Sequence, residues 1–114
     1  GTVSRLTGGW QVLSLRALDT SRSRYLDGEL IQAYHPYTLA SKQTLASGQV
    51  APVDVEVFPT AAEIAPGHRL RIAIQAFDVP HLAPSLPDLP TTLAPLTVRT
   101  GPLWPSVLTL PAVG

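Results

Sequence analysis

Acid–base, nucleophilic or metal chemistry in this chain has few residues to draw on: three histidines, at 35, 68 and 81, and no cysteine. The most suggestive grouping is Asp78-x-x-His81 with Ser85 nearby, the residue types of a Ser-His-Asp set. A triad needs its nucleophile on a rigid, exposed turn, and Ser85 stands in a proline-rich stretch that offers none. His68 and His81 as metal ligands lack a third donor at a recognisable spacing. The bland readings fit better: His68 follows a tight turn and faces solvent or a carboxylate, and His35, preceding a proline, serves as a loop hydrogen-bonder. No G-x-S-x-G elbow, phosphate loop, G-x-G-x-x-G or H-E-x-x-H occurs. No catalytic residue, cofactor-binding residue or metal ligand is assigned, and no cofactor is implied. Trp10 and Trp104 are candidate stacking faces for a ligand, although a tryptophan in either place more often closes one end of a core.

The elements available to position such groups are strands. Val53, Val55 and Val57 alternate with Asp54 and Glu56, and Leu70, Ile72 and Ile74 alternate with Arg69, Arg71 and Gln75. Period two predicts strands with one buried and one wet face. Between them Pro66-Gly67 predicts a type II turn, proline presetting φ and glycine accepting a positive φ. An antiparallel pairing would set Asp54 and Glu56 near Arg69 and Arg71, each pair adding about 0.2–1 kcal/mol. Each buried Val, Leu or Ile contributes more, roughly 1.5–3 kcal/mol. Trp10–Leu18 reads as a further strand that also passes for a short helix. Leu96–Thr100 and Ser106–Val113 read as strands flanking a Gly101-Pro102 turn, with Pro111 pointing to a sheet edge.

From Asp19 to Gln49 the periodicity breaks down, with turn signals at Asp27-Gly28 and Ser47-Gly48. A loop this long in a compact domain is functional or covers a neighbour. Residues 78–95 carry prolines at 80, 84, 87, 90 and 95 interleaved with Leu82, Leu86, Leu89 and Leu93. That predicts an extended, polyproline-like surface segment whose apolar strip lies against something. Val79, Pro80, His81, Leu82, Leu86 and Leu89 are the candidate interdomain or pocket-facing residues.

The whole composition agrees with a β domain. Twelve prolines in 114 residues, about double the usual ~5 % share, oppose long helices. Eight basic and eight acidic residues cancel, which points away from nucleic acid and anionic membranes. No apolar run approaches the ~20 residues that span a bilayer, and the first residues do not resemble a signal peptide. The chain reads as one domain over 1–114, the middle of a longer, soluble protein; the compartment stays open, with the cytoplasm favoured.

The order of landmarks resembles the C-terminal β-domain of the cocaine esterase / X-prolyl dipeptidyl aminopeptidase group of α/β-hydrolases. The specific block runs from Val53-Asp54-Val55-Glu56-Val57-Phe58-Pro59-Thr60 to Pro66-Gly67-His68-Arg69-Leu70-Arg71-Ile72. Gly9-Trp10, Leu13, Arg16-Ala17, Tyr34-His35-Pro36, Asp78-x-Pro80 and Leu108-Thr109-Leu110-Pro111 support it. The resemblance implies an all-β, jelly-roll sandwich similar to galactose-binding domains. It implies a non-catalytic accessory domain that packs on the catalytic α/β domain of a serine hydrolase and helps wall its substrate pocket. The parent's triad would lie in that other domain, and its substrate, whether ester, acyl-amide or X-Pro peptide, is decided there too. Two departures stand out. The chain matches only the later part of the family's β-domain, and His81-Leu82-Ala83-Pro84 replaces the Arg-Phe and Asn of many relatives. A partial sandwich has open edges, which predicts a homodimer, a strand swap or a rearrangement. The alternative function is a free-standing carbohydrate-binding or protein-interaction β-sandwich module.

Overall fold

The computed structural model describes residues 1–76 and 95–113. The chain divides into two units, Gly1–Glu63 and Ile64–Gly114, each described by itself below.

The regular structure of the first unit starts from one turn. Asp27 and Gly28 both have positive φ, 50° and 86°, the signature of the two-residue type I′ connection whose twist matches that of the strands it joins. Strand β1 (Arg24–Leu26) therefore folds back on β2 (Glu29–Gln32), pairing Leu26 with Glu29 and Tyr25 with Leu30. The register then slips, so that Arg24 faces Gln32. The base of the hairpin is closed by the Asp19 amide donating to the Tyr34 carbonyl at 2.9 Å and the Tyr34 amide donating to Ser23 Oγ at 3.0 Å. Beyond β2 the chain keeps a strand-like alternation: Ala33 and His35 are buried and Tyr34 is exposed.

Asp19 organises the entry to β1. Its carboxylate accepts from the Ser21 hydroxyl at 2.6 Å and the Ser21 amide at 3.0 Å, an Asx-type turn. The Ser21 hydroxyl bond is the main cause that holds the Asp19 carboxyl below its ordinary value of 3.8. A depressed carboxylate contributes stability above its unfolded value and loses it as pH falls through the folded one. We expect the Ser21 and Arg22 amides to lose hydrogen-exchange protection as pH drops below ~4. Asp19→Asn, which keeps the acceptor oxygen but cannot titrate, should flatten that acid slope.

The segment 54–58 is contacted from two parts of the first unit. On one side the Phe58 amide donates to the Gly8 carbonyl at 2.9 Å and Thr7 Oγ1 donates to the Phe58 carbonyl at 2.8 Å. On the other, Gln32 Nε2 donates to Glu56 Oε1 at 2.9 Å and His35 Nε2 lies 2.9 Å from the Asp54 carbonyl. So 53–57 is not a strand and carries no buried face, since Val55 and Val57 are exposed; its Asp54 carbonyl and Glu56 carboxylate are met one at a time, by the side chains of His35 and Gln32.

Residues 10–18 are not a strand either. A short 3₁₀ turn occupies Leu13–Leu15, because local side chains take the carbonyls a ladder would need. Gln11 Nε2 donates to Leu15 O at 2.9 Å, and Arg16 Nη1 donates to Leu13 O at 2.9 Å and to Gln43 O at 2.8 Å. A second 3₁₀ turn, Leu39–Ser41, is fixed by a reciprocal cap between Thr38 and Ser41.

In the second unit the Pro66-Gly67 turn forms as its residue types predict. The His68 amide donates to Ala65 O at 3.1 Å, with Gly67 at φ 84°. Gly101-Pro102 turns likewise, the Trp104 amide reaching Gly101 O at 3.2 Å. No strand is present at 70–74, 96–100 or 106–113, which corrects that expectation. The described part of the molecule is thus mostly non-helical with a two-stranded antiparallel sheet, compatible with a β-type domain.

Candidate functional site

Four aromatic residues of the first unit, Trp10, Tyr34, Tyr37 and Phe58, come together from three stretches of chain. Trp10 meets Phe58 edge to face, centroids 4.7 Å apart at 79°. Tyr34, Pro36 and Tyr37 arrive from the run after β2, and Glu56 from the 54–58 segment. Together they line a groove of about 350 Å³. Trp10 and Tyr37 are each half exposed, so their rings are walls rather than core.

The groove is held open by polar bonds beneath it. His35 is 6 % exposed, with Nδ1 3.0 Å from the Ala17 carbonyl and Nε2 2.9 Å from the Asp54 carbonyl. Both ring nitrogens are turned to backbone carbonyls, and an N–H on either one donates to the carbonyl it faces. His35 thereby clasps three chain segments in one place. Next to it Tyr37 adopts φ 53°, a left-handed conformation that costs a bulky residue roughly 1–3 kcal/mol. Its hydroxyl donates to Gln11 Oε1 at 2.7 Å, which anchors the strained residue at the rim. Tyr34 already receives a cation: the Arg22 guanidinium sits 4.7 Å from the ring centroid and donates to the hydroxyl at 2.8 Å.

A second groove of about 370 Å³ lies along Arg16–Leu18 and Gln49–Pro52. Its one guanidinium, Arg16, is spent on backbone carbonyls, which makes it a structural tie rather than an anion receptor.

The residues singled out from sequence fare differently. Trp10 is in the aromatic groove. Trp104 is half exposed in the second unit, directly after the Gly101 turn. Val79, Pro80, His81, Leu82, Leu86 and Leu89, together with Asp78 and Ser85, lie outside the described residues. His68 is exposed. His35 is a hydrogen-bonder, as its place before a proline suggests, but a buried one that ties residue 17 to residue 54. The groove itself has no sequence motif, since Trp10 and Phe58 are far apart in the chain; the only local signal is the aromatic density of Tyr34-His35-Pro36-Tyr37.

Among the described residues no three His, Asp or Glu side chains gather into a metal-binding group, and no helix is long and apolar enough to cross a membrane. Compared with known families, residues 1–109 match the family described as X-Pro dipeptidyl-peptidase C-terminal non-catalytic domain. No curated protein and no solved structure matches the chain.

Proposed function

The chain belongs to the X-Pro dipeptidyl-peptidase C-terminal non-catalytic domain family, and on that premise we propose that it is the accessory β-domain of a serine hydrolase. It packs on the parent's catalytic α/β domain and helps wall the substrate pocket, with the Val79–Leu89 strip as the pocket-facing part. The jelly-roll sandwich and kinship with cocaine esterases belong to the same reading.

The observation that supports it most is the state of the second unit, where every described residue is exposed. Leu70, Ile72 and Ile74 are apolar side chains open to water, Ile72 at 61 % and Ile74 at 65 %, and their alternation would set them in a row once extended. Covering such a row against a partner is worth roughly 1.5–3 kcal/mol per side chain. A domain without chemistry of its own and with uncovered apolar side chains fits a role in packing.

In the full-length parent hydrolase, Ile72→Glu with Ile74→Glu should lower the thermal midpoint by several degrees and raise KM. The same pair in the isolated chain should leave its circular dichroism unchanged, because both side chains are exposed there. Unchanged parent stability and kinetics would refute the packing role. The isolated chain should not turn over p-nitrophenyl esters; turnover abolished by Ser85→Ala would place a triad here instead.

A further inference from the structure

We propose that the aromatic groove beside Trp10 binds a protonated amine on an apolar stem, the lysine side chain of a partner protein. This site is independent of the packing role above. Aromatic faces carry the negative lobe of the ring quadrupole and attract cations, and the groove assembles Trp10, Tyr34, Tyr37 and Phe58 around a single half-buried carboxylate, Glu56. Glu56 is the only acidic side chain among the residues that line the groove, and its charge is complementary to a cation. Tyr34 demonstrates the attraction within the molecule, with the Arg22 guanidinium over its ring. His35, the other ionisable group lining the groove, has both ring nitrogens turned to backbone carbonyls.

Glu56 also selects the kind of cation. One of its oxygens, Oε1, already accepts from Gln32 Nε2. The planar fork of a guanidinium is best met by both oxygens of a carboxylate, whereas an ammonium is a compact donor that needs one. The remaining wall, Pro36 and Phe58, suits the methylene stem. A volume of about 350 Å³ lies at the small end of ligand sites and has room for a lysine side chain.

The test uses the whole chain carrying Trp104→Phe, which leaves Trp10 as its only tryptophan. Nα-acetyl-lysine N-methylamide is titrated while Trp10 fluorescence is followed. A saturable change is expected, about tenfold weaker in Glu56→Gln, and absent with the uncharged norleucine amide, whose side chain ends at the ε-carbon. The lysine-against-norleucine comparison needs no Glu56 variant, so it decides the matter even if Glu56→Gln unfolds. An equal response to norleucine, a stronger one to the arginine analogue, or none to lysine overturns the proposal. So does a preference for the free N-terminus of Ala-Pro or for methyl galactoside, which would assign the groove to a peptide end or a sugar.

Discussion

Gly9→Ala is expected to destabilise the first unit by about 3 kcal/mol, the upper end for forcing volume into a packed contact. A Cβ on Gly9 would overlap the Glu56 carbonyl oxygen, with the Glu56 carbonyl carbon at 2.9 Å and Val57 Cα at 3.1 Å behind it. All three are backbone atoms, so no side chain can rotate aside. Relief requires 8–10 to move away from 56–58. That movement would strain the Phe58–Gly8 and Thr7–Phe58 hydrogen bonds and the Trp10–Phe58 contact. Alanine's smaller unfolded-state entropy acts the other way, but by only about 0.4–1 kcal/mol. Gly8→Ala is the matched control: its Cβ would meet only the tip of the Arg5 side chain, Nη2 at 2.7 Å, which can swing away at little cost. Denaturant titration in the Trp104→Phe chain, followed by Trp10 fluorescence, should separate the two variants clearly. Equal midpoints would mean that 8–10 and 56–58 do not lie this close. The loss should extend to the groove, because the displaced residues carry its Trp10 and Phe58 walls.

The turns were legible in the sequence because a turn is a local requirement. Gly67 needs φ 84° and Gly48 φ 75° whatever lies elsewhere, and few residues other than glycine adopt these values easily. Alternation is a weaker guide. It says that Leu70, Ile72 and Ile74 share a face, but not which chain supplies the hydrogen bonds of a ladder or what covers the face. At 53–57 the alternation pointed to a strand with a buried valine face, and neither the strand nor the buried face is present. The hairpin was half legible: Asp27-Gly28 announced a turn, yet the polar run Ser21–Arg24 before it obscured the short strand that the turn folds back. The β-type character and the family were readable from landmarks spread along the chain. The groove was not, since its walls come together only when 7–10, 34–37 and 54–58 lie side by side.

What brings them together is the clasp at His35, and His35→Leu is expected to cost roughly 1–3 kcal/mol, because the carbonyl that takes the ring N–H is left without its donor. The imidazole is the sole side chain joining the Ala17 and Asp54 carbonyls among the described hydrogen bonds. Leucine fills much of the same space, so the loss isolates the hydrogen bonds from the packing. The Ala17 and Asp54 segments would then seek water, opening the unit from its most buried side chain outward. His35→Gln, whose amide donates from a single nitrogen, should recover part of the loss by serving one carbonyl. The order wild type, Gln, Leu in denaturation midpoint is the decisive result. If Leu matches wild type, the two carbonyls have other partners and His35 is not the clasp. If Gln falls below Leu, ring packing rather than hydrogen bonding holds the site. With the clasp intact, Tyr37 keeps its strained φ and its bond to Gln11. Release of the clasp should therefore abolish the lysine response of Trp10 at denaturant concentrations where the hairpin amides of β1 and β2 are still protected, because the hairpin closes on its own turn and the groove does not.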